Sequence, residues 1–114
     1  MTGAFLQIFW EGGRVEQVNI EYSEHLEFRL KLRGIQHDLP ERVLVEADEY
    51  FYDTETQLFI AAKDIIVGGK ARTFIVAFTR SVNSVKLVTI HPLKYNQKIN
   101  RINSKRWLRI KMTI

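Results

Sequence analysis

The sequence contains no cysteine. That excludes disulfides, a thiolate metal site and a cysteine nucleophile, and it fits a reducing compartment. No apolar run approaches the ~18 residues that span a bilayer. The opening Met1-Thr2-Gly3-Ala4-Phe5 lacks the basic start and apolar core of a signal peptide. The expected location is therefore cytoplasmic, without membrane contact. P-loop, GxGxxG and HExxH patterns are absent. His25, His37 and His91 are too scattered along the chain to read as a metal site. No cofactor is expected.

The most informative absence is of negative charge. No carboxylate side chain follows Asp64. All thirteen Asp and Glu lie in residues 1–64 beside six Lys or Arg, a local charge of −7. The last fifty residues carry eleven Lys or Arg, a local charge of +11, so the net +4 hides a strongly basic second half. That half also holds Trp107, Tyr95, His91, Ser104 and several threonines. Clustered cations with aromatics and hydroxyls are the footprint of a phosphate-backbone binder. The competing reading is an ordinary solvated surface.

At 114 residues, with 46% hydrophobic and 26% charged composition, the chain fits a single globular domain. Residues 5–10 form a β-like run before the turn signal Gly12-Gly13, and Val15, Val18 and Ile20 continue as a second weak strand. Residues 1–20 thus read as an N-terminal hairpin or extended arm. Ser23 is a good N-cap for a helix over residues 24–33, with Gly34 in the expected left-handed C′ place. Phe28, Leu32 and Ile35, with Leu26 and Leu30, are the predicted buried face. Asp38 and Glu41 have the spacing of a capping box for a second helix over residues 39–47, with Pro40 in its first turn. Strands follow at residues 50–52, 58–66, 73–79 and 85–91, separated by Asp53-Thr54-Glu55 and Gly68-Gly69-Lys70 and stopped by Pro92. Residues 96–109 are left open as a loop with a short helix or a last strand. The predicted fold is α+β: a hairpin or arm, then two short helices on one face of an antiparallel sheet of about four strands.

Three constellations carry chemistry. His25, Arg29 and Arg33 recur every four residues, on one side of the first helix. One imidazole and two guanidiniums can hold phosphate and move a proton, although a surface helix with i,i+4 ion pairs has the same spacing. The second is Thr89-Ile90-His91-Pro92-Leu93-Lys94, where a strand opens into a loop. His91 titrates near neutral pH, as general acid–base work requires; a strand-end histidine bonded to the next turn is the alternative. The third is Arg101, Ser104, Lys105, Arg106 and Trp107. Its cations suit phosphates, while Trp107, flanked by Leu108 and Ile110, reads as a core aromatic. The acid-free half cannot by itself build a hydrolytic Mg²⁺ site. Attack by the RNA 2′-OH on the neighbouring phosphate needs only a base, an acid and cations for the developing charge. His25, His91, Lys94 and the arginines supply these types.

Residues 22–35, with the pattern S-x-H-x3-R-x3-R-G-I, are similar to the helix of small RelE-like toxin-related domains. Residues 88–94, followed by Arg101 and Ser104-Lys105-Arg106-Trp107, resemble the closing strand and tail of the barnase–EndoU–colicin–RelE nuclease group. The resemblance implies a curved antiparallel sheet whose concave face binds RNA, and metal-independent RNA cleavage, often by the toxin of a toxin–antitoxin pair. By position, His25 and Arg29 would lie at the sheet edge and Thr89 and His91 on the closing strand, with Arg101, Ser104 and Arg106 from the tail. The expected catalytic set is His25, His91, Lys94 and Arg29. The expected RNA-binding set is Arg33, Thr89, Arg101, Ser104, Lys105 and Arg106. The expected partners are RNA and an antitoxin protein. Two other readings stay open: a non-catalytic nucleic-acid-binding module, and a protein–protein module in which the −7 half of one copy meets the +11 half of another.

Overall fold

The computed structural model describes the backbone of residues 3–9 and 15–112 and the side chains of residues 18–112. In chain order the elements are β1 (Gly3–Phe9), β2 (Val15–Tyr22), α1 (Glu24–Arg33), α2 (Leu39–Glu46), β3 (Glu49–Asp53), β4 (Leu58–Val67), β5 (Lys70–Arg80), β6 (Ser84–Pro92), α3 (Gln97–Asn103) and β7 (Trp107–Ile110). The seven strands form one sheet in the order β1-β2-β6-β5-β4-β3-β7. Neighbours are antiparallel except β2 and β6, which run parallel. The fold is α+β, and no described helix is long and apolar enough to cross a membrane.

The sheet is wider than the predicted four strands for two reasons. The N-terminal hairpin is part of it: Val18 and Ile20 are buried, and Ile20 pairs with Val85 of β6. A parallel partner lies far along the chain and needs a crossover, so no local turn signal announces it. The tail then resolves into α3 and a seventh strand, with Trp107 opposite Asp53 and Ile110 opposite Tyr50. The predicted Gly12-Gly13 turn lies outside the described residues.

Both faces of the sheet are covered by helix. On the first, Leu26 and Leu30 of α1 and Val43 and Leu44 of α2 pack on Val76, Phe78, Leu87 and Ile90. On the second, Phe51, Ile60, Ile75, Ala77, Leu93 and Trp107 form a smaller cluster under Ile102 of α3. Helices were expected on one face only, and α3 is the departure. The predicted apolar face of α1 is also narrower: Phe28 and Leu32 are 65% and 71% exposed. A helix lying beside one strand buries a single stripe, here positions 26 and 30.

The α1 caps form as expected. The Leu26 N–H donates to Ser23 Oγ (3.0 Å), and Gly34 has φ 63°, with the Ile35 N–H reaching the Leu30 carbonyl. The α2 capping box does not form: Asp38 makes no side-chain cap bond. Tyr22 caps that helix instead. Its hydroxyl donates to the His37 carbonyl (2.8 Å) and accepts from the Glu41 N–H (3.2 Å). Burial, the largest cause, pushes the Tyr22 phenol up to about 12.

Asp53, 2% exposed at the end of β3, fastens the tail. Arg106 Nε donates to Oδ1 (3.1 Å) and Nη2 to Oδ2 (3.0 Å). Trp107 Nε1 donates to Oδ2 (3.2 Å), and the Glu55 and Thr56 amides donate to Oδ1. Burial alone would raise this carboxyl, but Arg106, the two amides and Trp107 outweigh it and hold it at about 2. The folded value lies below the ordinary 3.8 of an aspartate. The stabilisation is therefore complete above about pH 5 and lost as pH falls toward 2, about 2 kcal/mol in all. Asp53→Ala should cost roughly 3 kcal/mol in urea unfolding at pH 7, with much of the wild type's loss of stability between pH 4 and 2 removed. An unchanged midpoint would show that Asp53 does not hold the tail.

Candidate phosphate-binding site

The site is built where β2 leaves the sheet. Pairing of β2 with β6 ends at Tyr22 opposite Leu87. The Ser23 N–H then donates to the Leu87 carbonyl (2.9 Å) and Ser23 Oγ to the Val88 carbonyl (3.0 Å). The chain turns into α1 at that point, so the helix lies against β6 in place of a strand. One serine thus caps α1 and fastens it to the strand that carries His91.

A bulge in β6 sets the direction of His91. Phe78 pairs with Leu87, yet Ala77 pairs with Thr89, leaving Val88 as the extra residue. Strand side chains alternate faces, so an unbulged strand would send Leu87, Thr89 and His91 the same way. The extra residue reverses the alternation. Leu87 and Ile90 both enter the first core, while Thr89 and His91 stand across from Ala77 and Ile75 on the α3 face.

His91 is half-buried there, and its imidazole is held below the ordinary 6.5. Burial is the first cause, followed by the positive charges of Arg101, Arg29 and Arg33. Three guanidiniums from two helices thus act on one imidazole of the sheet. None of the three has an ion pair with a carboxylate among the described residues. Arg101 lies over the Trp107 ring, 5.1 Å from its centroid. Burial and the nearby Arg106 charge hold Arg101 below its usual value, against Asp53 and Glu55. Like charges that hold no ion pair of their own with a described carboxylate repel one another, and a bound anion would relieve that repulsion. Among the described residues, no His, Asp and Glu come together as a metal site.

The structure therefore brings together Arg29, Arg33, His91 and Arg101, with Thr89 two residues from His91 on the same face. Other predicted residues lie elsewhere. His25 is exposed on the first turn of α1, with no hydrogen bond or ion pair to a described residue. The α1 charges that act on His91 are those of Arg29 and Arg33, on later turns of the helix. Lys94 is exposed and lines a pocket of about 450 Å³ at the β6–α3 turn. Ser104 and Lys105 are exposed beyond α3, where Ser104 Oγ donates to the Arg101 carbonyl (3.2 Å). Arg106 departs most from its expected role, because Asp53 and Glu55 hold its guanidinium. Lys98 and Arg109 are likewise paired, both with Glu49. Burial alone would raise the Glu49 carboxyl, but these two cations hold it below its usual value. The acidic half thus neutralises part of the basic half within one chain. Arg72, in the wall of the Lys94 pocket, was missed; nothing in its local sequence marks it.

Comparison with protein-family models, with curated proteins and with solved structures gives no match to this chain.

The fold favours neutral His91, so this group costs stability as pH falls below 6.5. A bound phosphate favours the imidazolium, so anion affinity should rise as pH falls through the His91 pKa. In an NMR titration His91 should titrate below 6.5, move up in Arg101→Met, and move up again with added inorganic polyphosphate. An ordinary value that Arg101→Met leaves in place would dissolve the cluster.

Proposed function

We propose that this protein is a metal-independent endoribonuclease whose reacting phosphate sits among Arg29, Arg33, Arg101 and His91. The observation that carries the reading is the convergence of three guanidiniums without carboxylate ion pairs on one half-buried imidazole. The resemblance of residues 22–35 and 88–107 to RelE-like and barnase-group domains supports it and gives the toxin-like, antitoxin-controlled role its basis.

The chemistry asked of the site is modest. A histidine with a lowered pKa is neutral at pH 7 and can accept a proton. His91 takes the proton of a ribose 2′-OH as that oxygen bonds to the adjacent phosphorus. The phosphorus–O5′ bond breaks, leaving a 2′,3′-cyclic phosphate, and the departing 5′ oxygen takes a proton from solvent. Arg29, Arg33 and Arg101 bear the charge that grows on the phosphoryl oxygens, a task suited to planar guanidiniums. Thr89 can donate to the backbone, and Ser104 and Lys105 extend the contact surface beyond α3. DNA lacks the nucleophile and should bind without being cut.

A second reading, a binding module without catalysis, is favoured by one observation: exposed His25 has no described contact that would fix it as the partner acid of His91. Cleavage of mixed cellular RNA in excess EDTA separates the two. The wild type should cleave, His91→Ala should lose about 100-fold or more, and Arg101→Ala should lose a comparable factor. His25→Ala should stay within a few-fold. RNA that binds but survives intact would select the binding module. Full activity in His91→Ala would remove His91 from the mechanism.

A further inference from the structure

The pocket at the β6–α3 turn is separate from the groups around His91, although the two share β6 and α3. β6 supplies His91 and then runs into Leu93 and Lys94, while α3 supplies Arg101 to one and Ile99 to the other. Positions 91 and 94 are about 10 Å apart in an extended chain at ~3.3 Å per residue, within the length of a short oligonucleotide.

The pocket has four features of a nucleotide subsite. Its volume, about 450 Å³, is of the size that holds a small ligand. No carboxylate lines it, and Thr73 in its wall donates to the neighbouring Asp64 (2.6 Å). Arg72 and Lys94 are exposed and have no ion pair among the described residues. At its rim, Tyr95 is 94% exposed. Tyrosine usually buries its ring, and this one is displayed on a tied turn. The Lys94 N–H donates to Gln97 Oε1 (3.0 Å), the Gln97 N–H donates back to the Lys94 carbonyl (3.1 Å), and Asn96 between them has φ 64°. A ring on a fixed turn beside two free cations and the half-exposed Ile99 is the arrangement on which single-stranded nucleic acid stacks.

We infer that this pocket is a nucleotide subsite for single-stranded RNA, with a base stacked on Tyr95 and its phosphate held by Lys94 and Arg72. The inference rests on the endoribonuclease reading, because the strand that enters the pocket is the one whose phosphate lies at His91. It gives Lys94 a binding role in place of the catalytic one expected from sequence.

The test is fluorescence anisotropy with a labelled single-stranded 2′-O-methyl RNA, in which the attacking hydroxyl is blocked. Tyr95→Ala should weaken binding about tenfold, while Tyr95→Phe, which keeps the ring, should stay within about twofold. Tyr95→Ala should leave the salt slope and the affinity for inorganic polyphosphate unchanged. Lys94→Ala and Arg72→Ala should each reduce the slope by about one. Wild-type affinity in Tyr95→Ala, with binding still weakened by Arg29→Ala and Arg101→Ala, would overturn the subsite and leave the phosphate site standing. Equal losses for RNA and polyphosphate in Tyr95→Ala would also overturn the stacking role. A wild type that binds no RNA would overturn both.

Discussion

The carboxylate of Asp53 is where the acidic and basic halves of the chain meet. It accepts from a guanidinium, an indole and two backbone amides at the end of β3. A buried carboxylate left without such donors would be strongly destabilising. With them, it fixes Arg106 and Trp107 at the start of β7, and Trp107 closes the smaller core. The Trp107 ring in turn carries the guanidinium of Arg101. The position of one cation beside His91 thus traces back to a buried carboxylate.

The other cations reach the site by a different route. Ser23 ends the parallel pairing of β2 with β6 and starts α1 beside the strand it has left. The bulge at Val88 then turns Thr89 and His91 away from the larger core. Together they have one consequence: guanidiniums of α1 act on the same imidazole as Arg101. Repulsion within this cluster opposes folding.

Charge segregation along the chain gives way to a finer division in space. Arg106, Lys98 and Arg109 pair with Asp53, Glu55 and Glu49. Their pairing is why a basic segment does not translate directly into a basic surface. Among the cations without such pairs, Arg29, Arg33 and Arg101 lie around His91, and Arg72 and Lys94 line the pocket at the β6–α3 turn.

Much of the fold was legible wherever the signal is local. Ser23 and Gly34 bounded α1 because capping is decided within a few residues of the helix end. The strands from Glu49 to Pro92 were legible in their β-rich runs and turn residues, and Trp107 read as a core aromatic because its neighbours are apolar. The capping box at Asp38 was misread because the Tyr22 hydroxyl, distant in sequence, took the place of the side-chain cap. Phe28 and Leu32 were misread because helical spacing shows that a face is apolar without showing how much of it finds a partner. The sequence by itself determined the secondary structure of the chain's middle, the α+β class and the stock of cations, since these follow from local sterics and composition. Only the tertiary structure decided which cations are neutralised, which way His91 points and that Arg29, Arg33 and Arg101 act on it together. Those outcomes depend on strand pairing, one bulge and a buried carboxylate, all of which join residues that the chain keeps far apart.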